Sequence, residues 1–99
     1  MRLRLQREGS ELTVKILMAH EMESGQRKDD AGQRIPAWFI AQLAVWVGED
    51  CVLQADWGPA VAKNPFVQFS VQGVQPGEVL RVAWRDNHGI ERVDSERVP

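Results

Sequence analysis

Apolar and polar residues alternate along most of this chain, and this period of two constrains the fold more than any other feature. Every second residue is apolar from Leu12 to Met18, and again from Leu80 to Trp84. Successive side chains of a β-strand point to opposite faces, so the pattern predicts strands with one buried and one solvated face. No segment shows a convincing amphipathic helical pattern, which has a period of 3.6.

Turn residues divide the chain into about seven strand-like segments. Seven short strands at this spacing are typical of an immunoglobulin- or fibronectin-like antiparallel β-sandwich, and 99 residues suffice for one domain over residues 1–99. The polar stretch Glu21–Arg34 is expected to be a loop at one end. The predicted strands are Leu3–Leu5, Leu12–Met18, Ala37–Val47, Cys51–Trp57, Phe66–Gln72, Val79–Arg85 and Ile90–Asp94.

The third predicted strand, Ala37–Val47, is apolar on both of its faces. It could also form a buried helix, but a proline before it and a glycine after it favour a strand. One face of each sheet in a sandwich is outermost, so a second apolar face predicts an interface. Trp38, Ile40 and Trp46 are therefore expected to contact a partner. A binding or adhesion module that self-associates through the Trp38 and Trp46 face is an alternative.

The connection between the fourth and fifth predicted strands is apolar and bracketed by prolines. Pro59 and Pro65 each fix φ and remove a backbone donor, which ends a strand. Val61 lies between them, so the connection is expected to pack against the core or against a partner rather than to extend into water. The partner interface is predicted to include Trp57, Pro59, Val61, Pro65 and Phe66.

Charge and composition exclude several classes of protein. The formal net charge is −2 with both signs scattered, whereas a nucleic-acid-binding protein would show a basic face. No apolar run approaches the roughly 20 residues that a membrane-spanning helix needs. The first eight residues carry charges throughout and have no apolar centre, so no signal peptide is expected.

Residues that could carry chemistry are few and poorly spaced. The plausible metal ligands are His20, Glu21, Glu23, Cys51 and His88, but the histidines lack the H-E-x-x-H spacing that puts two imidazoles on one helix face. No serine lies in a G-x-S-x-G motif. We therefore predict no metal, no cofactor and no enzymatic activity. A small enzyme that uses His20 with Glu21 and Glu23 is kept as an alternative.

The single cysteine, Cys51, excludes an intrachain disulfide. It begins a predicted strand between Asp50 and Val52, and a neighbouring carboxylate disfavours the reactive thiolate. We expect an ordinary small apolar side chain rather than a reactive thiol.

Four collinear stretches resemble the SoxZ family, the Z subunits of the SoxYZ carrier of thiosulfate oxidation. They are residues 18–29 (MAHEMESGQRKD), 35–40 (IPAWFI), 57–69 (WGPAVAKNPFVQF) and 84–89 (WRDNHG). The resemblance therefore extends over nearly the whole chain. Departures from the family pattern are Ala19, Glu21, Trp38 and Ala62.

This resemblance implies a non-catalytic subunit of a heterodimer. Its partner, a SoxY-like protein, would carry sulfur on a cysteine in a glycine-flanked C-terminal tail, which this chain lacks. The pair would meet a haem-containing conjugating enzyme, a sulfate-releasing hydrolase and a sulfur dehydrogenase. The implied location is the periplasm, reached by co-export with the SoxY-like protein.

The loop between residues 20 and 28 and the proline-bracketed connection are expected to shape the docking surface. His20, Met22, Arg27 and Lys28 are the candidates for docking and anion steering, since sulfur adducts such as thiosulfonates are anions. An ordinary solvated loop is the alternative interpretation of this charged stretch.

Overall fold

Seven β-strands form the regular structure of the chain, and a computed structural model describes them over residues 1–99. The predicted all-β class is confirmed, and each predicted strand has a counterpart. The last strand runs on beyond the predicted Asp94. The strands are β1 (Arg2–Glu8), β2 (Glu11–Leu17), β3 (Ile40–Val47), β4 (Asp50–Asp56), β5 (Phe66–Val71), β6 (Val79–Asp86) and β7 (Glu91–Arg97).

The strands form two antiparallel sheets, one of three strands and one of four. The first has the order β1-β2-β5 and the second β4-β3-β6-β7. In the constant immunoglobulin arrangement the fourth strand belongs to the sheet of strands one, two and five, whereas here it pairs with the third. The prediction of a seven-stranded β-sandwich is confirmed. No helix is long and apolar enough to cross a bilayer.

The core lies between the sheets, where the alternating apolar residues of β2, β3 and β6 meet. Each side chain that is taken from water in this way stabilises the fold by about 1.5–3 kcal/mol, which makes these three strands the main source of stability. The fully buried large side chains are Leu12, Val14, Ile16, Met18, Ile40, Leu43, Val45, Leu80 and Val82.

Strand β3 departs from strict alternation at its start. The pairing of β3 with β6 shifts register between Ile40 and Gln42, so Ile40 and Leu43 both face the core. A bulge of this kind adds one residue to a strand and reverses the side-chain order beyond it. The predicted outer position of Ile40 is therefore wrong, since its side chain is fully buried. Ala44 and Trp46 do lie on the outer face, half-buried.

The strands at the sheet edges differ sharply in charge. Strands β1 (RLRLQRE) and β7 (ERVDSER) are rich in charged residues, whereas β5 (FVQFSV) has none. Unpaired backbone groups at an edge can pair with another strand, and charged side chains oppose this. The β5 edge therefore lacks the protection that β1 and β7 carry.

We expect Ile40→Ala to lower the free energy of unfolding by about 2–4 kcal/mol, because it empties space in the core. Ile90→Ala is the matched control, since Ile90 is 49% exposed, and it should stay within about 0.5 kcal/mol of the wild type. Urea denaturation of both variants makes the comparison. Equal effects would contradict the bulged course of β3.

Candidate docking site at one end of the sandwich

Three connections meet at one end of the sandwich: residues 18–39 after β2, residues 57–65 between β4 and β5, and the β6–β7 turn. Two hydrogen bonds join the first connection to the second: the Asn64 N–H donates to the His20 carbonyl (2.9 Å), and the His20 N–H donates to Asn64 Oδ1 (3.1 Å). Asn87 N–H donates to the Phe39 carbonyl (3.0 Å) and joins the third. The fold thus brings together the loop and the proline-bracketed connection that the sequence singled out.

His20 anchors this end from within. Its Nδ1 accepts a hydrogen bond from the Met22 N–H (3.0 Å), so the ring proton lies on Nε2, which faces Asp86 Oδ2 at 3.2 Å. The ring lies edge-on against Trp38 and Trp84, with centroids 5.0 and 5.4 Å away. The His20 side chain is 2% exposed, so the expectation that it faces a partner or an anion is wrong.

The Asp86 carboxylate is the most heavily bonded group of the site. Oδ2 accepts from Trp38 Nε1 (2.8 Å) as well as His20, and Oδ1 accepts from the backbone N–H groups of His88 and Ile90 (both 2.9 Å). Burial raises the pKa of Asp86, but the hydrogen bonds from Trp38, Ile90, His20 and His88 outweigh it and hold the pKa below its ordinary value. The carboxylate therefore stays ionised inside the protein.

Asn87 adds a second connection between the turn and the segment before β3. Its side-chain oxygen accepts from the Phe39 N–H (2.8 Å) and its amide donates to the Ala37 carbonyl (2.9 Å). The sequence analysis assigned no structural role to Asp86 or Asn87. The missed signal was the alternation of β6, which puts Asp86 at the next inward position after Trp84.

Two residues other than glycine adopt positive φ here, Met22 at 50° and Asn64 at 53°. Asparagine tolerates this region, whereas methionine does so at a cost that its surroundings must offset. Met22 is 6% exposed, and its sulfur accepts from the Ile40 N–H at 3.3 Å. Met22 therefore fixes the path of the loop. It also lines the cleft described next, and its role in docking stays a prediction.

Between the loop and the connection lies an open cleft of ≈ 600 Å³, which has room for several side chains of a partner. Pro59, Ala60 and Val61 line one wall. Glu23 and Arg27 line the other. The cleft is an open groove between two fixed segments of backbone.

The charges around this cleft are paired. Lys63 Nζ lies 3.1 Å from Glu21 Oε2, and Arg27 Nε donates to Glu23 Oε2 at 3.2 Å. The hydrogen bond to Arg27 lowers the pKa of Glu23, and the hydrogen bond to Glu23 raises that of Arg27. Anion steering by Arg27 and the exposed Lys28 stays a prediction, although the Arg27 charge already has a carboxylate partner.

The predicted interface residues of the connection are divided between surface and interior. Pro59 and Phe66 are exposed, and Trp57 and Val61 are half-buried. Pro65 is buried, and its carbonyl accepts from the backbone N–H of the residue that follows β2 (2.9 Å). Its expected contact with a partner is therefore wrong, because the Pro65 side chain is buried within the sandwich.

Trp38 and Trp46 do not share one surface. Trp38 precedes β3, bonds Asp86 and stacks on His88, with ring centroids 5.3 Å apart and planes 9° from parallel. Trp46 lies on the outer face of the four-stranded sheet, with the Arg81 guanidinium 4.2 Å from its ring centre. The register shift at the start of β3 separates the two rings.

Cys51 lies on the edge strand β4, and its side chain is exposed. Its sulfur is 3.5 Å from the Leu53 carbonyl oxygen. That Cys51 is an ordinary side chain rather than a carrier thiol stays a prediction, and its exposed position on an edge strand differs from the burial that is usual for a free cysteine. No group of three or more histidine, cysteine, aspartate or glutamate side chains is positioned to hold a metal ion.

We expect Asp86→Asn to destabilise the protein by about 2–4 kcal/mol, because an amide nitrogen would face donors that now meet a carboxylate oxygen. Asp30→Asn, in the exposed loop, is the matched control and should be nearly neutral. Urea denaturation monitored by tryptophan fluorescence measures both. Equal stability of the two variants would contradict the role of Asp86 in holding this end together.

The lowered pKa of Asp86 also predicts a pH dependence of stability. As pH falls from about 4, an unfolded aspartate binds a proton while the folded carboxylate stays ionised, so the free energy of unfolding declines until the folded pKa is passed. The decline between pH 5 and pH 2 should be smaller in Asp86→Asn than in the wild type. Parallel curves would show that Asp86 contributes nothing to acid sensitivity.

The chain was compared with families of known proteins and with curated proteins. No curated protein is a significant match to the chain. A family model described as sulphur oxidation protein SoxZ matches residues 1–97 of the 99. This range includes both walls of the cleft and the buried network around Asp86. The chain belongs to the SoxZ family of sulphur oxidation proteins.

Proposed function

We propose that this chain is the non-catalytic subunit of a heterodimeric sulfur carrier in thiosulfate oxidation. Its partner would be a SoxY-like protein whose cysteine bears the sulfur. Membership of the SoxZ family supports a role in sulfur oxidation. The chain would support the partner and help to present it to the enzymes that load, oxidise and release the sulfur.

The observation that carries this proposal is the cleft between the loop and the proline-bracketed connection. Its walls are fixed by the hydrogen bonds between His20 and Asn64 and by the buried hydrogen bond between His20 and Asp86. Its charges are paired at Glu21–Lys63 and Glu23–Arg27. A rigid groove with paired charges and an apolar wall suits a protein segment better than a free anion, which would need unpaired cations.

The enzyme alternative finds little support in the same groups. His20 is 2% exposed, and both of its ring nitrogens have partners. Glu21 and Glu23 each face a cation. A general base must reach a substrate proton, and His20, on which this alternative depends, has neither a free ring nitrogen nor an approach from solvent.

The position of Cys51 supports placing the carrier cysteine on the partner. A carrier thiol must visit several enzymes and therefore needs a mobile arm. Cys51 lies within the paired strand β4. We further propose that the assembled pair acts in the periplasm and meets the conjugating haem enzyme, the sulfate-releasing hydrolase and the sulfur dehydrogenase in turn.

Co-purification with the SoxY-like protein tests the proposal. A 1:1 complex by size-exclusion chromatography with light scattering is expected. Ala60→Arg fills the cleft from an exposed position and should weaken binding about tenfold or more, as for the loss of an interface hot spot. Ala31→Arg introduces the same side chain on an exposed part of the loop and should bind like the wild type.

Self-association is the competing outcome. If the chain alone forms a stable dimer, ignores the SoxY-like protein and becomes monomeric in Trp46→Ala, the binding-module alternative replaces the proposal. The Trp46 surface on the outer face of the four-stranded sheet would then be the interface.

A further inference from the structure

The outer face of the three-stranded sheet is strongly polarised along its strands. The cross-strand register puts Arg2, Leu17 and Phe66 in one row and Arg4, Lys15 and Gln68 in the next. The opposite end of the same face holds glutamates in place of the cations, at Glu8 and Glu11. Positive charge is therefore concentrated at the end where β5 leaves the proline-bracketed connection.

The cations of this end have no partners within the chain. No carboxylate lies within 4.0 Å of Arg2, Arg4 or Lys15, and none of the three side chains makes a hydrogen bond. Arg4 and Lys15 are directly opposite each other on neighbouring strands. Like charges in this arrangement destabilise a sheet. The fold thus retains an unfavourable pair that a single substitution would remove.

Two exposed apolar side chains lie beside these cations. Phe66 is 58% exposed and Leu17 is 39% exposed, and they are register partners on β5 and β2. Together with Arg2, Arg4 and Lys15 they line one shallow depression of ≈ 120 Å³. This volume is about that of one or two side chains. We name this surface, formed by Arg2, Arg4, Lys15, Leu17 and Phe66, the basic–apolar patch.

We propose that the basic–apolar patch is a docking surface for an acidic protein segment that places one apolar side chain against Phe66 and Leu17. Carboxylates of that segment would pair with Arg2, Arg4 and Lys15, and so remove the repulsion between Arg4 and Lys15. This surface is separate from the cleft lined by Pro59 to Val61, and the proposal does not depend on the carrier function.

A protein segment fits better than the other anions that cations attract. A small inorganic anion would leave the Phe66 and Leu17 surfaces in water, where exposed apolar area is unfavourable. A nucleic acid needs a basic track several nucleotides long, and here the basic rows give way to Glu8 and Glu11 along the same strands. An acidic segment with an apolar anchor meets both the charge and the hydrophobic surface.

Lys15→Glu tests the proposal because it should move stability and binding in opposite directions. Converting the Arg4–Lys15 pair to opposite charges should raise the Tm by about 1–5 °C. It should also weaken binding of a fluorescent acidic peptide, EELFEE, at least fivefold. Arg34→Glu makes the same charge change at an exposed loop position outside the patch and should leave both quantities unchanged. Fluorescence anisotropy and thermal unfolding measure them.

Phe66→Ser and a second peptide test the apolar part of the patch. Phe66→Ser should weaken EELFEE binding about fivefold without changing its salt dependence. The peptide EEGGEE should bind the wild type as weakly as EELFEE binds Phe66→Ser. Binding of EELFEE should fall as sodium chloride rises from 50 to 300 mM. Equal binding by Lys15→Glu and the wild type, equal losses in Lys15→Glu and Arg34→Glu, or tighter binding of a thymidine 15-mer than of EELFEE would each overturn the proposal.

Discussion

The organisation of the candidate docking site depends on one buried carboxylate. Asp86 ends β6 on the core side and accepts hydrogen bonds from a side chain of the loop after β2, from a side chain of the segment before β3 and from two backbone groups of the β6–β7 turn. Without these donors a charge in this position would be costly, because burial disfavours the ionised form. With them, the turn, the loop after β2 and the segment before β3 share a single anchor. Asn64 then ties the proline-bracketed connection to the same loop.

This arrangement separates two tasks among the residues of the family motifs. His20, Met22 and Asp86 are inside and determine where backbone lies, whereas Pro59, Ala60 and other neighbours form the surface that a partner could touch. A histidine or methionine in such a motif therefore acts through the position of its neighbours. The strained backbone at Met22 fits this view, since a buried side chain and a sulfur–amide contact hold it in place.

The period-two pattern was enough to predict seven strands and the sandwich, because alternation reports directly on which face of a strand is buried. It failed at Ile40, where an extra residue in β3 reverses the order and only the pairing with β6 reveals it. The burial of His20 could not be predicted. A polar side chain is tolerated inside a protein only where it meets a hydrogen-bond partner, and the sequence does not show that Asp86 lies beside His20. The opposition of Arg4 and Lys15 likewise exists only once the register of β1 and β2 is fixed.

The uncharged edge of β5 has a practical consequence for the isolated chain. An open strand edge without charged side chains offers its backbone to any other strand, including the β5 of a second copy. Such pairing grows with concentration and covers the β5 edge of both copies. Storage at high concentration therefore favours gradual loss of monomer. Dilute samples or a co-expressed binding partner are the conditions under which the chain does not associate with itself.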